Sequence, residues 1–264
     1  MTIRLNRYSF AILFATTTLR AVAAMAQAPN AVQPERPTVA THAGTVARGW
    51  LELEIGGQLD RYSAGIRGGV FPFVAKIGLA PRLLLSLIGT IGKAPGVSSV
   101  GAGDLAVGLQ WRIADSLPLS GRFAVQPTLE LPTGSTASGV ASLTTDAGLL
   151  LISSHLLGPL ALDLNAGFTH RAGHDDSVPE NATVWTVSFG GPAAGAVGWV
   201  AEVFGYPRTS GPAGNASTVS LLAGPTFSVR EWRALDAGLI IPLGGSPPHS
   251  LYVGGVWNVG RMWR

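Results

Sequence analysis

The densest group of reactive side chains in the 264-residue sequence is His170-Arg171-Ala172-Gly173-His174-Asp175-Asp176. Two imidazoles and two carboxylates could ligate a metal. The stretch reads as a loop, however, where such residues commonly stay solvated, so no metal is expected. Ser154 and His155 could in principle supply a nucleophile and its base. Neighbours in a strand point to opposite faces, so these two cannot act on one another, and no enzyme activity is expected. The Gly-rich stretches 96–108 and 190–198 look like phosphate loops, but neither opens a helix, and no cofactor is expected. With no cysteine in the chain, disulfides and thiolate metal sites are excluded.

The remaining chemistry lies in single charges set into apolar runs. Glu52 and Glu54 alternate with Leu51, Leu53 and Ile55, Lys76 opposes Phe73 and Ile77, and Asp236 opposes Leu235, Ala237 and Leu239. In 104–113, Asp104, Gln110 and Arg112 oppose Leu105, Val107, Leu109, Trp111 and Ile113. In 122–131, Arg122 and Glu130 oppose Phe123, Val125, Leu129 and Leu131, and Asp163 opposes Leu160, Leu162 and Leu164. Alternation of this kind makes strands with one apolar and one polar face.

Such runs span 50–57, 70–79, 83–91, 104–113, 122–131, 145–156, 160–169, 183–190, 196–205, 218–229, 232–242 and 250–260. They are twelve, an even number, and most approach the ~9 to 11 residues of a strand that crosses a bilayer. Short connections at 80–82, 114–121, 157–159, 191–195 and 230–231 alternate with longer ones at 58–69, 92–103, 132–144, 170–182, 206–217 and 243–249. That is the pattern of an antiparallel transmembrane β-barrel with short periplasmic turns and longer extracellular loops.

Composition agrees. Charged residues make up 12% and apolar residues 47%, which suits a chain whose outside is not mostly water. The isolated charges then face a lumen, because Arg or Lys turned to lipid costs ~2 to 4 kcal/mol at mid-bilayer. Glu52, Glu54, Lys76, Asp104, Arg112, Arg122, Glu130, Asp146, Asp163, Glu202 and Asp236 are the candidate pore-lining residues. They can either line an open pore or pair off and help to fill a closed one. Asp104, the turn 132–134 and Asp146 fall at one end of neighbouring strands, where the acids either form a constriction or fix the loop backbone.

Residues 1–26 have the form of a signal peptide: Arg4 and Arg7, an apolar run over 8–19, and Ala24-Met25-Ala26 as a cleavage site. Without Arg4, Arg7 and Arg20, 15 of the 18 basic residues remain against 15 acidic ones, so the formal charge of +3 gives no support to a nucleic-acid partner. Residues 27–48, rich in Pro and Thr, read as an extended lead-in that lies in or below the lumen, and 49–264 form the barrel. The chain ends in Trp263-Arg264. A final aromatic residue is the habit of outer-membrane strands, and here the aromatic is penultimate.

Segments 34–57, 101–113, 129–134 and 145–168 resemble, in order and spacing, the outer-membrane family named for the MetA pathway of phenol degradation. The shared features are the Arg-Pro lead-in before a Glu-bearing strand, the Gly-Asp strand, the Leu-Pro-Thr-Gly strand end and the Asp-bearing hairpin. The likeness covers 34–263 and implies a transporter-like barrel in the bacterial outer membrane, linked by name to aromatic compounds. A channel for passive passage of small, aromatic or otherwise apolar molecules is therefore expected. The alternative is a structural or adhesive barrel with a closed lumen. Expected partners are outer-membrane lipid, the permeant and the barrel-insertion machinery.

Overall fold

The structure is a computed structural model, and it describes residues 28–62, 65–119, 121–172, 179–209 and 216–264. Residues 1–26, expected from the sequence to be a signal peptide, and His174, Asp175 and Asp176 lie outside the described residues.

The twelve alternating runs form twelve long strands: β1 (Trp50–Arg61), β2 (Arg67–Ala80), β3 (Leu83–Lys93), β5 (Leu105–Leu117), β6 (Gly121–Leu131), β7 (Thr145–Leu157), β8 (Leu160–Ala172), β9 (Asn181–Ala194), β10 (Val197–Tyr206), β11 (Thr218–Arg230), β12 (Arg233–Gly244) and β13 (His249–Arg261). A two-residue strand, β4 (Gly101–Ala102), adds to the end of β3, and a 3-10 turn forms at Thr136–Ser138. Each long strand pairs antiparallel with its neighbour in the chain, and β1 pairs with β13, so the sheet closes on itself and leaves no long edge strand. This is the closed antiparallel barrel that the sequence pattern called for.

Most strands run further than the alternating pattern. In β1 the ladder continues through Gln58↔Val70, Asp60↔Gly68 and Arg61↔Arg67, because Gly and polar residues spoil periodicity but still hydrogen-bond. Prolines sit where a ladder is interrupted. Between β1 and β2 the pairing skips Phe71 and Pro72, between β5 and β6 it skips Gln126 and Pro127, and between β11 and β12 it skips Gly224 and Pro225. Each proline keeps its register with the strand on its other side, so a missing N–H falls where no bond is called for.

The two faces have opposite chemistry. Outside are Ile55, Phe71, Trp111, Leu149, Leu251 and Val253, each about half exposed or more. A belt of this size, carried by every sector of the ring, fits lipid and not water. Inside are Glu52, Glu54, Lys76, Gln110, Glu202, Asp236 and a smaller set of apolar groups that includes Leu84, Ile152, Leu222 and Tyr252. The short connections 81–82, 118–120, 158–159, 195–196 and 231–232 share one end of the barrel, and the long loops share the other.

Candidate permeation path and its internal plug

The lead-in runs through the lumen. It passes the short-turn end, where the Val32 N–H bonds the Glu231 carbonyl at 2.8 Å, and it returns there, where the Thr45 hydroxyl bonds the Pro81 carbonyl at 3.1 Å. Between these points its amides have no strand beside them, so lumen side chains must satisfy them. Gln110, Asn165 and Glu202, which bond the top of its arch, lie near mid-height of their strands, and the partners of its legs lie nearer the short-turn end.

The first leg meets β1 and β2. Glu52 and Lys76 stand directly opposite across the ladder, with Glu54 two residues further along. The Lys76 ammonium lies 2.7 Å from Glu52, also bonds Glu54, and donates to the Gln33 carbonyl. Glu52 accepts the Gln33 N–H at 2.7 Å and Glu54 the Glu35 N–H at 2.9 Å. All three side chains are almost fully buried, so each charge depends on the others. The Glu35 carboxyl comes close to this triad. Desolvation pushes it up to about 7, Lys76 opposes the rise, and Glu54 and Glu52 add to it.

The next residue turns to the adjoining strands on the other side of β1, β13 and β12. Arg36 reaches Asp236 at 3.3 Å and the Val253 carbonyl at 3.4 Å. Its guanidinium fills the space that a Cβ at Gly56 or Gly254 would take, which is why both positions are glycine. The top of the arch then crosses the lumen. Glu202 accepts the N–H groups of Val39 and Ala40, both at 2.8 Å. Asn165 makes a two-way clamp, accepting the Thr41 N–H at 2.6 Å and donating to the Thr41 carbonyl at 2.9 Å. Ser154 accepts the Ala43 N–H at 2.8 Å and donates to Asp163. Gln110 donates to the carbonyls of His42 and Gly44 at 3.1 and 2.8 Å.

Apolar contacts complete the fit. Val39 packs against Val200, Phe204, Leu222 and Tyr252, and Ala43 packs with Ala124 and Ile152. The second leg leaves beside β2, where Arg48 bridges Gly78 and the Gly49 N–H bonds the Gly78 carbonyl at 2.7 Å. Below the arch, a cavity of about 550 Å³ separates the plug from the β8–β13 wall, with Arg36, Asp163, Ser188, Thr226 and Asp236 among its lining residues.

Six of the eleven candidate residues therefore touch the lead-in directly or through one side chain: Glu52, Glu54, Lys76, Asp163, Glu202 and Asp236. Arg112 and Arg122 lie at the short-turn rim beside Thr45. There Arg112 bonds the Pro81 carbonyl at 2.9 Å and Asp115 at 3.0 Å, whereas Arg122 is exposed.

The other three candidates gather at the long-loop end. Asp104 accepts the N–H groups of Gly134, Ser142 and Leu143 at 2.7 to 2.9 Å, and the Ser142 hydroxyl at 3.0 Å. Leu143 has φ of 56°, an uncommon conformation for a non-glycine residue, and the bond to Asp104 holds it there. Burial alone would raise the Asp104 carboxyl. The bonds from Gly134, Leu143 and Ser142 outweigh it and hold the acid below its ordinary value. Asp146 bonds Thr144 at 2.6 Å and Arg171 at 2.7 Å, and Glu130 bonds Ser142 at 3.4 Å. Asp104 and Asp146 thus fix loop backbone and side chains.

Sequence reasoning passed over Asn165, Ser154 and Gln110 as lumen contacts. Their placement on the polar face was the available signal. Ser154 and His155 do face opposite sides. His155 instead bonds Ser153 at 2.9 Å on the outer face, and Ser154 serves the plug. His170 bonds Asn181 at 3.0 Å, and no metal-ligand cluster occurs among the described residues.

No family model matches the chain, and no curated protein matches it. The fold is similar to solved outer-membrane structures. An outer membrane channel from Pseudomonas putida F1, of the group called COG4313, superposes with a TM-score of 0.67 at 13% identity, over 86% of this chain and 99% of that one. The KdgM porin superposes with a TM-score of 0.54 at 10% identity, over 78% of this chain and 99% of that one. The same porin solved with disordered oligogalacturonate gives a TM-score of 0.52, again at 10% identity. At these identities the likeness establishes an outer-membrane barrel architecture.

Proposed function

We propose that the chain is an outer-membrane channel for passive passage of small, apolar or aromatic compounds, closed at mid-height by residues 33–46. The observation that carries this reading is the set of inward-facing polar side chains, drawn from six strands, that bond the backbone of that segment. A wall built only for strength has no need to solvate a foreign chain. The segment is tied in place by non-covalent bonds, so it can leave without breaking the barrel. Two of the superposed proteins are a channel and a porin, which supports the reading by analogy of fold.

The apolar side chains of Phe204, Leu222, Tyr252 and Ile240 inside the wall suit an apolar permeant better than an ion. The lumen charges act in this reading as plug anchors first. No covalent step and no energy source are needed, the short turns face the periplasm, and an N-terminal signal peptide over 1–26 directs export.

Planar-bilayer recording of the full chain and of a variant lacking residues 33–46 tests the proposal. The deletion variant is expected to show stable conducting steps, and cells carrying it to take up small aromatic solutes faster. If the deleted barrel is folded yet shows neither conductance nor uptake, the chain is a closed structural or adhesive barrel, and the channel proposal falls.

A further inference from the structure

The outer face at the long-loop end carries one feature that transport does not use. His249, Arg61, Arg67 and Lys93 end the exposed face of four consecutive strands, β13, β1, β2 and β3. Arg61 stands directly opposite His249 on one side and Arg67 on the other, and Lys93 pairs with Gly69, two residues from Arg67. Like charges facing each other across a ladder repel, so this row is unfavourable without an anion.

No described residue supplies one. Among the described residues, no ion pair or side-chain hydrogen bond involves any of the four. The neighbouring loop stretches 62–66, 94–103 and 244–248 contain no acid, and Asp60 points inward to Ser250. By contrast, Arg36, Arg82, Arg112 and Arg171 all have carboxylate partners.

Below the cations the wall is apolar. Leu59, Leu239, Ile241 and Leu251, each 41 to 64% exposed, line with Arg61, Arg67 and His249 a hollow of about 560 Å³. A phosphate above and an acyl chain below would meet both halves. Arginine is well suited to the upper contact, because its fork of N–H donors matches phosphate oxygens.

We propose that this sector binds the phosphorylated glycolipid of the outer leaflet, a diphosphoryl lipid A, with a phosphate held by Arg61 and Arg67, supported by Lys93 and His249, and an acyl chain along Leu59, Leu239 and Leu251. The site rests on the outer-membrane placement of the barrel and is independent of whether the lumen conducts.

The test uses the full chain in phosphatidylcholine nanodiscs, with native mass spectrometry following added diphosphoryl lipid A. The wild-type protein is expected to retain one lipid, and R61A/R67A to lose at least tenfold in apparent affinity. R61K/R67K is expected to recover part of that loss, and His170→Ala, at the long-loop end of β8, to bind as wild type. Lys93→Ala gives an intermediate loss that checks the site in a barrel with both arginines intact. Dephosphorylated lipid A should be retained poorly, and millimolar inorganic phosphate should displace little of the bound lipid. Unchanged retention by R61A/R67A, or full displacement by inorganic phosphate, would overturn the proposal. Conductance of R61A/R67A is expected to match wild type, so failure here is separable from failure of the channel reading.

Discussion

Lys76 shows how one residue can hold together two parts of this molecule. Its ammonium neutralises Glu52 and Glu54 on the wall and bonds the Gln33 carbonyl on the plug, all out of contact with water. Removing one partner from a buried ion group costs ~3 to 5 kcal/mol, because the remaining charge stays desolvated. Lys76→Met is therefore expected to destabilise the barrel by about that amount and to free the first leg of the plug. The temperature at which the fast-migrating unboiled form disappears on a detergent gel should drop. K76M combined with Glu52→Gln and Glu54→Gln should recover most of the loss, since no charge is then stranded. A drop that the triple variant leaves in place would mean that the lysine acts through its packing.

At the scale of elements, the strands were legible, and the lead-in was legible as an extended segment in or below the lumen but not in the path it takes there. The stretch 104–113 announces its two faces by alternation, and β5 places Ala106, Gly108 and Gln110 inside as that pattern requires. The lead-in has no periodicity, because its amides bond side chains more than 100 residues away, such as Glu202 and Ser154. Long-range pairing of an irregular segment leaves no local trace. The loop 132–144 was legible only at its start, where the Pro-Thr-Gly turn stood out, and through Asp104, which stood out just before β5. Asp104 is held below its ordinary value, so the stability it lends is complete above the usual carboxylate range and is lost as the pH falls through that lowered value. Hydrogen exchange at Gly134, Ser142 and Leu143 should stay slow at neutral pH and accelerate only in strong acid. Asp104→Asn should raise exchange at those amides at least tenfold at neutral pH, with the difference from wild type closing in strong acid and the β strands unaffected.

For the whole molecule, the same twelve strands divide two solvents, and the division fixes where charge can be tolerated. In β7, Leu149 points outward and is about half exposed. Across the ladder in β6, Thr128 points into the lumen toward the long-loop end, next to Gly148. A soluble sandwich would treat these positions the other way round, with the polar substitution harmless on the exposed face and damaging on the enclosed one. In a membrane barrel, Leu149→Arg places a cation against lipid and is expected to cost ~2 to 4 kcal/mol, read as a lower urea midpoint for unfolding from lipid vesicles. Thr128→Arg places it in a polar lumen above the plug and should change that midpoint far less. The closed ring alone is compatible with either environment. The contrast between the two arginine variants discriminates, because only a lipid exterior makes the enclosed position the cheaper one.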